Sequence, residues 1–211
     1  MKPLKISRSA IALLFSIISF SPLLAQKSNR PNIIVFFVDD LGWQDLSVPF
    51  YKEVTPINQR FHTPNLEDLA KESTKFTNAY ATPVCTPSRV SMLTGLNAAH
   101  HKVTNWTHPT ANKPTDNPDE LLSPPDWNIN GMSPVPNIPR TVHATPFPQI
   151  LKDNGYFTIH VGKAHWGSAG TPGVSPLNLG FMVNIAGHSA GHPQRYYGGG
   201  NDGNIPGLLS V

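Results

Sequence analysis

A single cysteine, Cys85, stands in the stretch ATPVCTPSRVSMLTG, two residues before Pro87 and four before Arg89. Two adjacent carboxylates, Asp39 and Asp40, close the apolar run NIIVFFVDD, and Lys163 and His165 lie two residues apart between the glycines of GKAHWG. Each group has a chemistry and an ordinary alternative. A lone thiol in an oxidising compartment makes no internal disulfide, so Cys85 is an intermolecular bridge, an inert buried thiol or a reactive group. Thr82, Pro83, Thr86, Pro87 and Ser88 surround it with turn and helix-start residues, not with the apolar stripe that an inert thiol occupies. Adjacent carboxylates that both stay ionised need a cation, and their hard oxygens suit calcium or magnesium. The alternative is a capped strand end with solvated acids. Lys163 and His165 offer a cation and a proton donor; singly, each is a surface lysine and a satisfied histidine. A helix start favours anions, so the clusters together describe a pocket for a tetrahedral oxyanion.

The elements that must hold these groups alternate between strands and helices. The run from Asn32 to Asp40 is continuous, apolar and β-branched, as a strand buried on both faces would be. TPNLEDLAKE predicts a helix with Thr63 as N-cap, Pro64 in the first turn, and Leu66, Leu69 and Ala70 on one face. TKFTNAY alternates as a short strand. PSRVSMLTG reads as a helix with Pro87 in its first turn and Gly95 past its end. TPFPQILKDNG repeats that grammar, with Phe147, Ile150 and Leu151 on one face and Gly155 as the stop, and YFTIHV follows as a strand. This order predicts an α/β sandwich with a largely parallel sheet. The three clusters fall at strand ends or helix starts, where such sheets place ligands. Between residues 96 and 144 no period is sustained, and a loop of that length inside a domain is usually functional or disordered. Trp106 and Trp127 within it predict an ordered wall, and no internal repeat is visible.

The first 25 residues read as a secretory signal peptide, with Lys2, Lys5 and Arg8 before the apolar run AIALLFSIISF and Ala25 before a polar residue. The run is shorter than the roughly 20 residues of a spanning helix, which predicts no stable membrane insertion after cleavage. Residues 26–211 are then one domain-sized unit in the periplasm or outside the cell. The whole chain carries a formal charge of +3, and the signal segment holds three basic residues and no acidic one. The remainder is neutral, which removes the basic-patch case for nucleic acid. The final GGGNDGNIPGLLSV, a glycine-rich stretch before a short apolar one, reads as a cut through a domain.

CTPSR resembles the C-x-P-S-R core of the sulfatase family, whose cysteine becomes formylglycine after translation. PNIIVFFVDDLGW, HTPNLEDLAKESTKFTNAYA, SMLTG and GYFTIHVGKAHWG resemble the same family in the same order, over nearly all of residues 31–187. The resemblance implies an alkaline-phosphatase-like α/β/α sandwich with a mixed, largely parallel central sheet, incomplete in this chain. It implies a sulfuric ester hydrolase acting on an aryl sulfate or a sulfated carbohydrate, small or polymeric. Cys85 is then the precursor of an aldehyde hydrate, one hydroxyl of which attacks sulfur while the other later expels sulfate. Pro87 and Arg89 belong to the signal read by a formylglycine maturation enzyme, and Arg89 also holds the formylglycine. By the same match Asp39, Asp40 and the formylglycine at position 85 ligate calcium, Lys163 binds sulfate and His165 orients the formylglycine hydroxyl. His188, in NIAGHSAGH, and Trp106 are candidate substrate contacts.

The chain departs from the family pattern in places. Ala164 and Trp166 flank His165 where tryptophan and leucine are usual, a change of packing more than of chemistry, and Met182 stands where aspartate is common. The family's second metal motif, an Asp followed by Asn or His after a later strand, has no counterpart here: DNG at Asp153–Gly155 caps a helix, and NDG at Asn201–Gly203 lacks a preceding apolar strand. Further readings are a phosphonate or phosphate monoester hydrolase of the same superfamily, a non-catalytic remnant that binds sulfated sugar, and a catalytically inactive fragment of a truncated gene.

Overall fold

The structure, a computed structural model, describes residues 30–117, 119–123 and 127–192. The expected signal peptide, and the glycine-rich stretch with Asn201–Gly203, lie outside them. The chain divides into two units, Met1–Phe37 and Val38–Val211. In the first, the described residues 30–37 form no strand, and Ile34 and Phe36 are 89% and 84% exposed. The strand expected from Asn32 to Asp40 is therefore not formed; Asp39 and Asp40 lie in a turn. An apolar run becomes a buried strand only when neighbours satisfy its backbone on both sides, and no described strand pairs with this one.

The second unit holds four helices, α1 (Pro64–Lys71), α2 (Cys85–Thr94), α3 (Ala98–His101) and α4 (Phe147–Asp153), among the described residues. Its strands are β1 (Met132–Ser133), β2 (Val142–His143), β3 (Ile159–Val161) and β4 (Val183–Ile185). They form two parallel pairs, β1 with β2 and β3 with β4. Short 3-10 turns at Asn58–Arg60, Pro172–Val174 and Pro176–Leu179 complete the regular structure. The expected strand TKFTNAY is absent, with Phe76 and Tyr80 73% and 91% exposed. No described helix is long and apolar enough to cross a membrane.

Helix α2 follows from its sequence closely. Val84 is extended at the N-cap, Pro87 sits in the first turn where no intrahelical donor is lost, and Gly95 closes the helix at φ 71°. Val84 has no capping side chain, so the entry is clamped by Ser88, whose Oγ lies 2.6 Å from Thr82 Oγ1 and receives the Thr82 N–H at 3.1 Å. Val90 and Leu93, on the inner face, join Val103, Met132, Ala164, Trp166 and Leu179 in the core, against which Phe147 of α4 packs. Burial of each such side chain contributes about 1.5–3 kcal/mol.

Helix α1 starts at Thr63 and Pro64 as expected, but Thr63 does not cap it. Its hydroxyl instead receives the Ser47 N–H at 3.1 Å and lies 2.6 Å from Ser47 Oγ. The expected apolar face of α1 is not buried either: Leu66, Leu69 and Ala70 line an open groove of about 370 Å³ with Leu46, Val48 and Phe76. The region expected to be irregular, residues 96–144, contains α3 and the β1–β2 pair and sends Val103 and Met132 into the core. Met132 N–H bonds the Trp166 carbonyl at 2.8 Å, tying this region to GKAHWG. The approach requires Gly131, at φ 84°, because an added Cβ would collide with that carbonyl.

Candidate active site

Three segments far apart in sequence carry the candidate site. The first is the start of α2, which presents the half-buried Cys85 from its first residue and Arg89 one turn later. The second is the loop after β3, where Gly162 (φ 93°) turns the chain and His165 adopts φ 54°. The third is the turn at Asp39 and Asp40, the latter also at φ 54°. Non-glycine residues in the left-handed region are strained and persist only where the surroundings hold them; of the site's polar residues, Asp40 and His165 are in that region.

Cys85 Sγ lies 3.3 Å from His165 Nδ1. On the far side of the ring, His165 Nε2 lies 2.9 Å from the Thr107 carbonyl oxygen. A carbonyl only accepts, so Nε2 carries the proton and Nδ1 turns a lone pair toward position 85. Burial, the largest influence, pushes the His165 pKa down to about 4 against the opposing pull of the Thr107 hydrogen bond. The ring is therefore neutral at pH 7, and its single proton is committed to Thr107. The proton donor expected of His165 is thus corrected: toward the site it is an acceptor.

Arg89, 4% exposed, donates from one Nη to the Lys163 carbonyl at 2.6 Å and from the other to Asp39 Oδ1 at 3.1 Å. Lys163 Nζ donates to Asp39 Oδ2 at 2.5 Å. Burial raises the Asp39 pKa, but the hydrogen bonds and charges of Lys163 and Arg89 outweigh it and hold the carboxyl below its ordinary value. The cation that ionised adjacent carboxylates require is, for Asp39, supplied by the protein itself. Asp40 is exposed beside it.

Calcium takes about six to eight oxygen ligands. Asp39 and Asp40 offer hard, anionic oxygens of the right chemistry, one of them kept ionised by its neighbours. They fit as part of a ligand set. Among the described residues no group of three or more His, Cys, Asp or Glu side chains gathers as a complete one.

Of the expected site residues, the structure brings together Cys85 and His165, and separately Asp39, Arg89 and Lys163. His188 contributes its carbonyl, which accepts the His165 N–H at 3.0 Å, while its ring faces Ser189. Trp106, 40% exposed, lines a small cleft with Trp127 and Lys102. Sequence reasoning missed Thr107. Its carbonyl holds His165 and its N–H donates to Thr86 Oγ1 at 3.0 Å, so one residue fixes both the ring and the turn beside Cys85. Both roles belong to the backbone and leave no side-chain signature.

The sulfatase family model matches residues 31–202, and the chain belongs to that family. Its alkaline-phosphatase-like α/β fold is represented among the described residues by the two parallel pairs and the helices beside them. The chain is 33% identical over 171 residues to the N-acetylgalactosamine-6-sulfatase of Rattus norvegicus, covering 80% of this chain and 28% of that protein. It is 27% identical over 176 residues to the arylsulfatase of Klebsiella aerogenes, covering 83% of this chain and 32% of that protein. Among solved structures, that of Ps i-CgsB in complex with k-i-k-neocarrahexaose is 28% identical at a TM-score of 0.43, covering 71% of this chain and 26% of that one. The chain thus spans between a quarter and a third of the length of these curated relatives.

Proposed function

We propose that this chain is the N-terminal part of an exported sulfuric ester hydrolase that acts on a sulfated carbohydrate or an aryl sulfate. The observation that carries the reading is the pairing of Cys85 Sγ with the unprotonated Nδ1 of His165 at 3.3 Å, beside the cluster of Asp39, Arg89 and Lys163. A maturation enzyme, drawing on an external oxidant, would oxidise the Cys85 side chain to the aldehyde of formylglycine with loss of its sulfur; one hydroxyl of the hydrate attacks the sulfate sulfur and displaces the alcohol, and the other gives up its proton as the aldehyde re-forms and expels sulfate. His165 accepts a hydrogen bond from the group at position 85 and so aims it. Arg89 anchors Asp39 and the Lys163 carbonyl, which fixes the Lys163 backbone while its ammonium faces the substrate sulfate. Asp39 and Asp40 would hold calcium as part of its ligand set, and the ion would supply Lewis-acid polarisation of the sulfate oxygens. The names of the relatives, an arylsulfatase and an N-acetylgalactosamine-6-sulfatase, support the substrate class.

The test is mass spectrometry of the peptide carrying Cys85, from protein made with a maturation enzyme, together with sulfate release from aryl sulfate and sulfated sugars. Aldehyde in place of thiol is expected, and Cys85→Ala should abolish turnover without unfolding the protein. A peptide wholly in the thiol form, where a known sulfatase is converted, would overturn the reading. Faster release from aryl phosphate than from aryl sulfate would move the enzyme to the phosphate esterases.

A further inference from the structure

β3 and β4 run parallel with His160 opposite Asn184, and each strand then delivers an arm of the site. β3 leads through Gly162 to Lys163 and His165. β4 leads through Ala186, at φ 62°, to Gly187 and His188. The arms are joined where Gly162 N–H donates to the Ile185 carbonyl at 2.8 Å and where His165 N–H donates to the His188 carbonyl at 3.0 Å.

Between those joints lies a side-chain bridge that the hydrolytic chemistry does not use. Asn184 Oδ1 accepts the Gly187 N–H at 3.0 Å, and Asn184 Nδ2 donates to the Gly187 carbonyl at 3.0 Å, closing the turn from both ends. Oδ1 is an acceptor, so His160 Nδ1, 3.1 Å away, carries the proton of the bond between them. The His160 ring cannot swing away, because it meets Trp166 edge-on at 4.9 Å and Phe181 at 5.3 Å, and those two rings stack on each other. The junction is tight enough to exclude a side chain at position 187, where an added Cβ would lie 2.7 Å from His160 Nδ1 and 2.6 Å from Pro176.

We infer that His160 and Asn184 are positioning residues, whose mutual hydrogen bond locks the ends of β3 and β4 together and so sets His165 against position 85 and Lys163 against Asp39. The inference rests on the hydrolase reading above for its catalytic consequence, though not for its geometry. Two strained residues, His165 and Ala186, stand on the two arms, and a bridge between the strand ends is the element that prevents them from relaxing. An isolated strand pair of three residues is marginal on its own.

The test separates the hydrogen bond from the packing of the ring. His160→Phe keeps an aromatic ring against Trp166 and removes the donor; His160→Asn keeps a donor where Nδ1 stood and removes the ring. In the complete protein, His160→Phe and Asn184→Leu should lower kcat on an aryl sulfate by roughly tenfold or more with KM changed less than about threefold, as expected for misplaced catalytic groups. His160→Asn, which keeps a donor toward Asn184 Oδ1, should stay within about threefold of the parent kcat even if it melts earlier. A second readout is independent of turnover: in protein made without a maturation enzyme, the alkylation rate of the Cys85 thiol by iodoacetamide, followed on its peptide, should fall in His160→Phe and hold in His160→Asn. The opposite order, with rates following the ring and the melting temperature, or no change in any folded variant, overturns the inference. If the parent hydrolyses no sulfate ester, the hydrolase reading fails by itself and the alkylation order alone decides the positioning role.

Discussion

His165 works as a neutral ring, and that state couples the site to acid stability. Burial lowers its pKa from an ordinary 6.5 to about 4, so between those values the unfolded chain binds a proton that the folded chain refuses. Its contribution is fully present above pH 6.5 and is lost as the pH falls toward 4; for a shift of this size the effect is on the order of 3 kcal/mol. Burial moves His101 and His160 in the same direction. Urea unfolding at pH 7.5, 6, 5 and 4.5 should show stability falling through that window, and His165→Gln should flatten the slope. Asp39 acts lower on the scale, because its depressed pKa preserves its ion pairs until the pH drops below the ordinary 3.8. Asp39→Asn removes the anion shared by Lys163 and the buried Arg89, and should cost roughly 1–3 kcal/mol and at least about tenfold in turnover. Lys163→Ala should lower turnover by a similar factor, with Lys152→Ala, exposed on α4, as the control.

α2 and the β3–β4 pair carry the site, and they differ in how they are held. α2 is locked by its inner face, with Val90 and Leu93 0% and 1% exposed. Leu93→Ala should therefore cost about 2–5 kcal/mol and loosen Cys85 with it, as thermal melts and Cys85 alkylation would reveal. Leu69→Ala on α1, at 61% exposure, should change stability by less than about 0.5 kcal/mol. The contrast also explains why two helices with similar start signals behave differently. Pro64 and Pro87 both lie in the first turn of a helix, yet only the second helix meets a core.

Among the described residues, exposed apolar surface is the feature that bears on the molecule as a whole. Residues 33–38 are all large and apolar and at least 41% exposed, and the open groove beside α1 is lined largely by apolar side chains. Contiguous exposure of this kind marks a surface that associates. Expressed alone, residues 26–211 should bind a hydrophobic dye strongly and aggregate, and calorimetry should find weaker calcium binding than in the longer protein. Turnover per mole equal to that of the longer protein would show that Asp39, Asp40 and position 85 suffice.

Much of the site was legible in the sequence because its chemistry is carried by side chains in short runs. CTPSR announces a helix start with a thiol and an arginine one turn apart, and GKAHWG announces a loop with a cation and an imidazole; local backbone preferences are enough to place both. Helices α2 and α4 could be read for the same reason, since proline starts and glycine stops act within a few residues. What needed the folded chain was everything that depends on a distant partner. The run at Asn32–Asp40 reads as a buried strand, but a strand forms only where a neighbour takes its hydrogen bonds. Thr63 reads as a cap, but Ser47, 16 residues away, claims its hydroxyl. The protonation of His165 was hidden because it is decided by burial and by the Thr107 carbonyl, 58 residues distant. Residue types determined which groups could react, and tertiary structure alone decided which atom of each faces the other, because desolvation and a backbone acceptor act through space and leave no trace in residue order.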